Sequence, residues 1–402
     1  MTDKGLRGFF ETFLAKGSIF LDKKVLQSGY TPETIMHRDK EVHAIAQIMA
    51  PALRLEKPSN LFIYGKTGTG KTLSIKHTTS QLYDLAVQKG LPIKLLYLNC
   101  KLKKVADTEY RIVAQLAREF GKMIPSTGLP TDEVYKIFFS AVDEKKQLVI
   151  LVLDEIDQLV KKAGDEILYT LTRINDDLKR AQITIIGISN DLLFSESLDP
   201  RIKSSLSEEE LLFAPYNAIQ IQQILKERAK VAFKPEVIAQ GVIEKCAAFS
   251  ARDHGDARRA LELLRVAAEL AERKDSEQVV LEHLDEAEDK IERDRVMDVL
   301  VTQPKQHQLV LYALLDLVGS NKGRLFTGEI YELYKSLCPK ASLRPLTQRR
   351  VSDVLNEMDM LGIINARVIS KGRYGRTREI TSSLSPSVLP KALATLRDDI
   401  GL

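Results

Sequence analysis

Residues Gly65–Thr72 read GKTGTGKT and stand directly after the apolar run Leu61-Phe62-Ile63-Tyr64. They complete the pattern G-x-x-x-x-G-K-[ST], in which a strand feeds a glycine-rich loop that opens a helix. Gly65, Gly68 and Gly70 let backbone N–H groups close around a chain of phosphates, with Lys66, Thr67, Thr69 and Leu73 completing the wrap. Lys71 offers a point charge to the β and γ phosphates, and Thr72 offers a hydroxyl to Mg²⁺ at the start of the helix. The stretch implies an α/β nucleotide-binding fold that takes ATP or ADP. A chance glycine-rich turn is the plain alternative, and it leaves a second stretch unexplained.

That second stretch is LVILVLDEID, Leu148–Asp157. A continuous apolar run is expected of a strand buried on both faces of a parallel sheet, and this one ends in acids at the sheet's carboxyl edge. Asp154 is suited to hold Mg²⁺ directly or through water, and Glu155 to polarise the water that attacks the γ-phosphate. Asp157 better fits an acid that favours the dipole of the next helix.

A chain of 402 residues with 44% hydrophobic content can bury several cores, so roughly two to four domains are expected. The net charge is only +4, but Val301–Leu402 holds 15 Lys+Arg against 9 Asp+Glu. The basic excess is therefore C-terminal and points to an anionic partner for that part. Cys100, Cys246 and Cys338 lie far apart, which suggests neither a disulfide framework nor a zinc site. No apolar stretch reaches the length of a membrane span, and MTDKGLRGFF lacks the core of a secretory signal. A cytoplasmic protein is expected, with no membrane partner.

Strand-like runs at Leu61–Tyr64, Lys94–Leu98, Leu148–Leu153 and Ile183–Ile188 alternate with helical ones, the pattern of a doubly wound core. From Asn217 the strand signals stop. Ala218–Lys230, Val237–Ala248, Asp256–Arg273 and Leu281–Arg293 carry helical periodicity, so a small helical domain follows. The expected limits are an N-terminal extension at 1–18, the nucleotide-binding domain at 19–216, the helical domain at 217–298 and a last domain at 299–402.

In that last part helices are expected at His307–Leu317, Thr327–Leu337 and Thr347–Leu361, then strands at Ile363–Ser370 and Thr377–Thr381. Three helices followed by a hairpin is the order of a winged helix-turn-helix. Val351, Val354, Leu355, Met358 and Leu361 share one face of the third helix. Arg349, Arg350 and Ser352, with Asp353 and Asn356, lie away from it and are suited to a major groove. The hairpin tip offers Lys371, Arg373, Tyr374, Gly375 and Arg376, with Arg378 just beyond, a cluster suited to phosphates or a minor groove. For any one of these arginines alone, a solvated loop is an equal account.

Three more positions narrow the kind of nucleotide enzyme. Asn190 ends the run Ile183–Ser189, where a carboxamide can orient water. Arg201 lies in DPRIKSSL, and Arg258 lies in GDARRAL at the start of a helix. An arginine that stabilises transition-state charge comes from another domain or from a neighbouring subunit, and here there is a candidate for each.

The order GKTGTGKT, LDEID, ISND, LDPRIKSSL, FAPY and HGDARRAL, followed by a winged helix, resembles the archaeal origin-recognition and cell-division-control replication initiators of the AAA+ class. The resemblance covers the chain from about Tyr30 to the wing. It implies an AAA+ core with a helical lid, Asn190 as sensor 1, Arg258 as sensor 2 and Arg201 as an arginine finger toward a second initiator subunit. YTPETIMHRDKE, Tyr30–Glu41, would set His37 and Arg38 near the base or the lid, with Tyr216 of FAPY beside the nucleotide. It also implies duplex origin DNA as partner, help in recruiting the replicative helicase, and an initiator-specific insertion that touches DNA. The loop GKMIPSTGLP, with Lys122, Thr127 and Gly128, is the place expected for that insertion, although such a composition is by default a connector.

A clamp-loader-like ATPase would carry a Ser-Arg-Cys finger and a helical collar, neither of which is found. An ATP-gated transcription regulator would share the loop and the winged helix, and no single residue excludes it.

Overall fold

The computed structural model describes residue 11 and residues 17–402, apart from 28, 33, 102–107, 126–127, 207, 253–254, 321–324, 371–375 and 385–387. At 195, 368–370, 376 and 377 it describes the backbone alone. The chain divides into two compact units, Met1–Leu284 and Asp285–Leu402.

Among the described residues the first unit holds five strands: β1 (Leu61–Tyr64), β2 (Ile93–Asn99), β3 (Leu148–Asp154), β4 (Gln182–Ser189) and β5 (Glu209–Leu212). They form one parallel sheet in the order β2-β3-β4-β1-β5. All seven residues of β3 are buried, as a central strand covered on both faces requires. Its alternate residues divide between two cores. Val149, Leu151 and Leu153 pack with Ile112, Phe138 and Ile185, while Leu148, Ile150 and Val152 pack with Ile45, Ile75 and Ile186. The four expected strands are present, and β5 was not foreseen. Its sequence, EELL, is largely exposed at the sheet's edge and lacks the apolar run of its neighbours.

Helices Ala218–Ala232, Val242–Arg252 and Ala257–Arg273 follow. Asn217 and Gln220 form a reciprocal capping box at the start of the first, which fixes where it begins. The second starts later than the periodicity suggested. Glu236 and Gly241 adopt left-handed backbone (φ 64° and 86°), and Ile238 between them makes a parallel bridge to Val279. Helix Leu281–Thr302 runs nine residues past its expected end at Arg293, and the division between the units falls in its first turn.

Among its described residues the second unit holds helices Lys305–Ser320, Thr327–Leu337, Gln348–Met360 and Leu389–Ile400 and three short strands. These strands are β6 (Leu325–Phe326), β7 (Ile364–Ser370) and β8 (Arg376–Ser382), in the antiparallel order β6-β8-β7. This is a winged helix, with β6 and the last helix added to the expected elements. The fully buried Tyr334 donates through its hydroxyl to Gln306 Oε1 (2.6 Å) and accepts from the Leu346 N–H (2.9 Å). Those bonds tie the first two helices to the turn before the third. Val351, Val354, Leu355 and Met358 face the core as expected. Leu361 does not: it follows the helix as its C-cap and is 40% exposed.

Candidate functional site

The loop after β1 owes its path to glycines against which neighbouring groups press. Gly70 has φ 90°, and a Cβ there would stand 2.7 Å from the Tyr216 hydroxyl. Lys71 opens the helix Lys71–Gln88 and is 4% exposed. Its ammonium donates to the carbonyls of Gly65 and Lys66, both at 2.7 Å. Burial, and then the cation of Arg258, push its pKa down to about 8, against opposing pulls from Asp154, Asp157 and Asp256. Arg258, on a separate helix, is thus within electrostatic reach of the loop. Thr69 is fully buried and returns its hydroxyl to Lys66 O, while Lys66 and Thr67 are exposed.

At the carboxyl edge of β3, Asp154 Oδ2 accepts from the Thr72 hydroxyl (3.0 Å) and from the Tyr97 hydroxyl. Burial, followed by the bond to Asp154, raises the Tyr97 pKa, so the phenol remains a donor. Glu155 is in left-handed backbone (φ 57°), one of the uncommon conformations for a residue with a Cβ. Its carboxylate lies 3.7 Å from Lys101 Nζ. Asp157 is 3% exposed and accepts from the Ser189 hydroxyl and the Asn190 N–H, each at 3.4 Å. It therefore joins β4's end to β3's end, beyond the helix-dipole part expected of it.

A third group was legible only in outline. Arg38 is 4% exposed and donates to Thr69 O (2.9 Å), Glu41 Oε1 (2.8 Å) and Ala214 O (2.5 Å). Its guanidinium lies 4.1 Å from the Tyr216 ring centroid and 5.2 Å from that of Phe213. Arg38 and Tyr216 thus meet the phosphate loop itself. His37 precedes it in left-handed backbone (φ 60°), and its Nε2 is buried without a hydrogen-bond partner. Tyr97, Glu41 and the linking part of Asp157 were missed by the sequence reading. Glu41 carried an i,i+3 signal to Arg38, whereas Tyr97 depends on strand register.

Arg201 stands apart, 67% exposed, paired through Nη2 with Asp199 (3.0 Å) and lying 5.3 Å from the Tyr169 centroid. The bonds from Arg201 hold the Asp199 carboxyl down at about 2. In the GKMIPSTGLP loop, Lys122 pairs with Glu144, Gly128 turns at φ 112°, and Met123 is 99% exposed. Thr127 lies outside the described residues.

On the third helix of the second unit, Arg349 and Arg350 are exposed, and Arg350 lies 3.7 Å from Asp353. Ser352 returns its hydroxyl to Gln348 O, and Arg378 on β8 donates to Ser352 O (3.3 Å). Arg378 therefore braces this helix from the wing strand. Lys371, Arg373, Tyr374 and Gly375 lie outside the described residues, as does the side chain of Arg376.

Among the described residues, no cluster of three or more His, Cys, Asp or Glu is arranged to hold a metal, and no helix is long and apolar enough to cross a membrane. Mg²⁺ needs no such cluster, since one or two protein oxygens and the substrate's phosphates suffice for it. The adjacent Thr72 hydroxyl and Asp154 carboxylate fit that demand.

Family models match in three places: an AAA domain over residues 54–193, a Cdc6 AAA+ ATPase-type lid domain over 222–289, and a CDC6 C-terminal winged helix domain over 298–392. The ORC1-type DNA replication protein of Pyrococcus abyssi is 51% identical over 381 residues, 94% of this chain and 90% of its own. ORC1-type DNA replication protein 1 of Methanosarcina mazei is 51% identical over 95% of this chain and 92% of its own. The solved structure of the Aeropyrum pernix ORC1 protein in complex with DNA superposes with a TM-score of 0.84 at 43% identity, covering 94% of this chain and 98% of that one. Fold and site define an AAA+ nucleotide-binding module with a lid and a winged helix. The chain belongs to the ORC1-type DNA replication protein family.

Proposed function

We propose that this protein is a replication initiator that binds duplex origin DNA and uses ATP binding and slow hydrolysis as a switch. The observation that carries the reading is the gathering of Lys71, Thr72 and Asp154 at one phosphate loop, against which the helix carrying Arg258 begins with an Ala257 N–H to Gly68 O bond of 3.3 Å, in a chain that also carries a winged helix. Support for DNA as partner comes from the Aeropyrum pernix relative solved in complex with DNA. As functional units we take residues 19–216 for the nucleotide-binding base, 217–298 for the lid and 299–402 for the DNA-binding domain.

In this reading Lys71 leaves its two carbonyl acceptors for the β and γ phosphates, while Arg258 draws the lid over them. Thr72 and Asp154 would hold Mg²⁺, which when bound would supply charge neutralisation at the phosphates. Glu155 accepts the proton of the lytic water, and Asn190, set by Asp157, orients that water. Arg201 is exposed and held by Asp199 through Nε (3.1 Å) and Nη2 (3.0 Å), so a second initiator subunit would draw it out of that surface pair. Arg349, Arg350 and Ser352 face the DNA, with the wing tip on its backbone. Gripping one duplex with the winged helix and the loop around Lys122, Thr127 and Gly128 would bend it, and the deformed DNA would help recruit the replicative helicase.

The test is a genome-wide footprint of the purified protein on its host's DNA, with and without ATP. Discrete peaks at replication start sites are expected. Peaks spread over promoters would overturn the initiator reading in favour of a nucleotide-gated transcription regulator.

A further inference from the structure

Gly68, the fourth residue of the phosphate loop, meets the lid more closely than any cap requires. It lies at φ 70°, and a Cβ built on it would stand 1.6 Å from Asp256 Oδ1 and 2.2 Å from Asp256 Cγ. Asp256 caps the helix Ala257–Arg273, accepting at Oδ1 from the N–H groups of Arg258 (2.8 Å) and Arg259 (3.3 Å). The Ala257 N–H donates back to Gly68 O at 3.3 Å. The residue before the cap is held as well. Gly255 has φ 70°, and a Cβ there would stand 2.3 Å from Tyr216 O. The lid helix therefore enters between the Tyr216 carbonyl and Gly68, and Arg258 follows two residues later.

An aspartate at an N-cap is ordinary and serves its own helix. Seating that carboxylate on a phosphate loop is a different matter, because it brings a negative charge beside an anion site. Asp154, Asp157 and Asp256 all act on Lys71, and only Asp256 comes from the lid. Its oxygen is engaged by two helix N–H groups, which lets the loop tolerate it. Any other residue at 68 would push the cap, and with it the first turn that carries Arg258, off the loop.

We propose that Asp256 is a positioning residue. By seating on Gly68 it sets the height and angle of Arg258 over the phosphates and so determines how well the lid distinguishes ATP from ADP. This rests on the reading of Arg258 as the residue that senses the γ-phosphate.

The test measures dissociation constants for ATP and for ADP, each with Mg²⁺, in the full chain. Arg258→Ala is the reference and should abolish the preference for ATP. Asp256→Ala should lower the ATP preference about fivefold, the loss of one cap's worth of orientation, with ADP affinity unchanged. Asp256→Asn keeps an oxygen for the helix and should restore the preference. Gly68→Ala presses on the cap from the other side and should lower the preference by itself. It should do so less in an Asp256→Ser background, where the smaller cap gives way.

Equal losses for ATP and ADP in Asp256→Ala would overturn the positioning role, as would a Gly68→Ala effect identical in both backgrounds. If Arg258→Ala leaves the preference intact, the reading of Arg258 falls first. If Arg258→Ala abolishes it and Asp256→Ala does not change it, only the positioning role of Asp256 falls. Should Asp256→Ala fail to fold, the Gly68→Ala pair decides the question, since Asp256→Ser retains the cap.

Discussion

Lys71 Nζ donates to Gly65 O at 2.7 Å, so the ammonium of the phosphate loop is turned onto the loop's own first carbonyl. Its bond to Lys66 O is equally short. An entering phosphate must compete with two carbonyl acceptors for a cation that burial already makes a weaker base.

That weakness sets a pH dependence. With the Lys71 pKa at about 8, the group is partly deprotonated in mildly alkaline solution. Phosphate oxygens favour the ammonium and raise the pKa on binding, so ATP binding takes up a proton where the free site has lost one. Affinity should be flat near neutrality and fall as pH rises through about 8 toward the ordinary lysine value. Calorimetry at about pH 9 in two buffers of different ionisation enthalpy reads the uptake directly, and a value of zero would contradict the account. Lys71→Arg, whose guanidinium does not titrate in this range, should bind with no such slope.

Tyr97→Phe removes one of the two hydroxyls that donate to Asp154 Oδ2 and leaves Thr72 in place. One hydrogen bond to a carboxylate contributes about 1.5–3 kcal/mol at most, and less where water can replace it, so the Mg²⁺ requirement of ATP hydrolysis should shift roughly threefold to tenfold. Thr72→Ala should shift it further, since in the proposed site that hydroxyl would itself be a ligand of the metal. An unchanged Mg²⁺ titration in Tyr97→Phe would remove Tyr97 from the site.

The contrast between Thr72 and Tyr97 explains what the sequence could disclose. Thr72, Lys71 and the three glycines lie within eight residues, so their spacing alone specifies their geometry. Asp154 announced itself by ending an apolar run. Tyr97 sits two register positions from Asp154's partner Asn99, and only the pairing of β2 with β3 brings it there. The edge strand β5 was hidden for another reason: Glu209 and Glu210 face water, so no apolar run or alternation marks it. The helix Leu389–Ile400 covers the winged-helix core through Ala392, Leu396 and Ile400, a spacing short enough to pass unread beside the hairpin. Asp256 was passed over because an N-cap aspartate has a complete explanation within its own helix.

Arg38→Ala should cost stability more than nucleotide affinity alone would suggest. The side chain joins Thr69, Glu41 and Ala214 and stacks on Tyr216, and its removal leaves the part-buried Glu41 without its cation. Breaking a buried pair from one side costs on the order of 3–5 kcal/mol. Denaturant unfolding without nucleotide should show a loss of that order. Arg38→Ala with Glu41→Gln should recover part of it, and no recovery would mean that the stacking and carbonyl bonds dominate.

Arg201→Ala should leave ATP affinity of the isolated chain unaltered, because the exposed guanidinium bonds Asp199 and no loop residue. Its stability cost should be within experimental error, as for most exposed pairs. Turnover should fall only at protein concentrations or on DNA where subunits assemble. A rate that depends on Arg201 yet not on protein concentration would place the arginine's action within one chain.

Arg349, Arg350 and Arg378 should part company when DNA binding is followed against salt. The first two are exposed on the third helix, and removing a cation that neutralises one phosphate should lower the slope of log affinity against log salt by about 0.9. Arg350 spends part of its charge on Asp353 at 3.7 Å, so Arg349→Ala should show the larger change. Arg378 instead donates to the Ser352 carbonyl from β8. Arg378→Ala removes that brace and should loosen the helix, weakening binding to all sequences while the slope changes by less than a single phosphate's share. Thermal unfolding of the same variant should fall measurably, whereas that of Arg349→Ala should not. Should Arg378→Ala lower the slope by a full phosphate's share at unchanged stability, its side chain would be a phosphate ligand, and the bond to Ser352 would be one it gives up on binding.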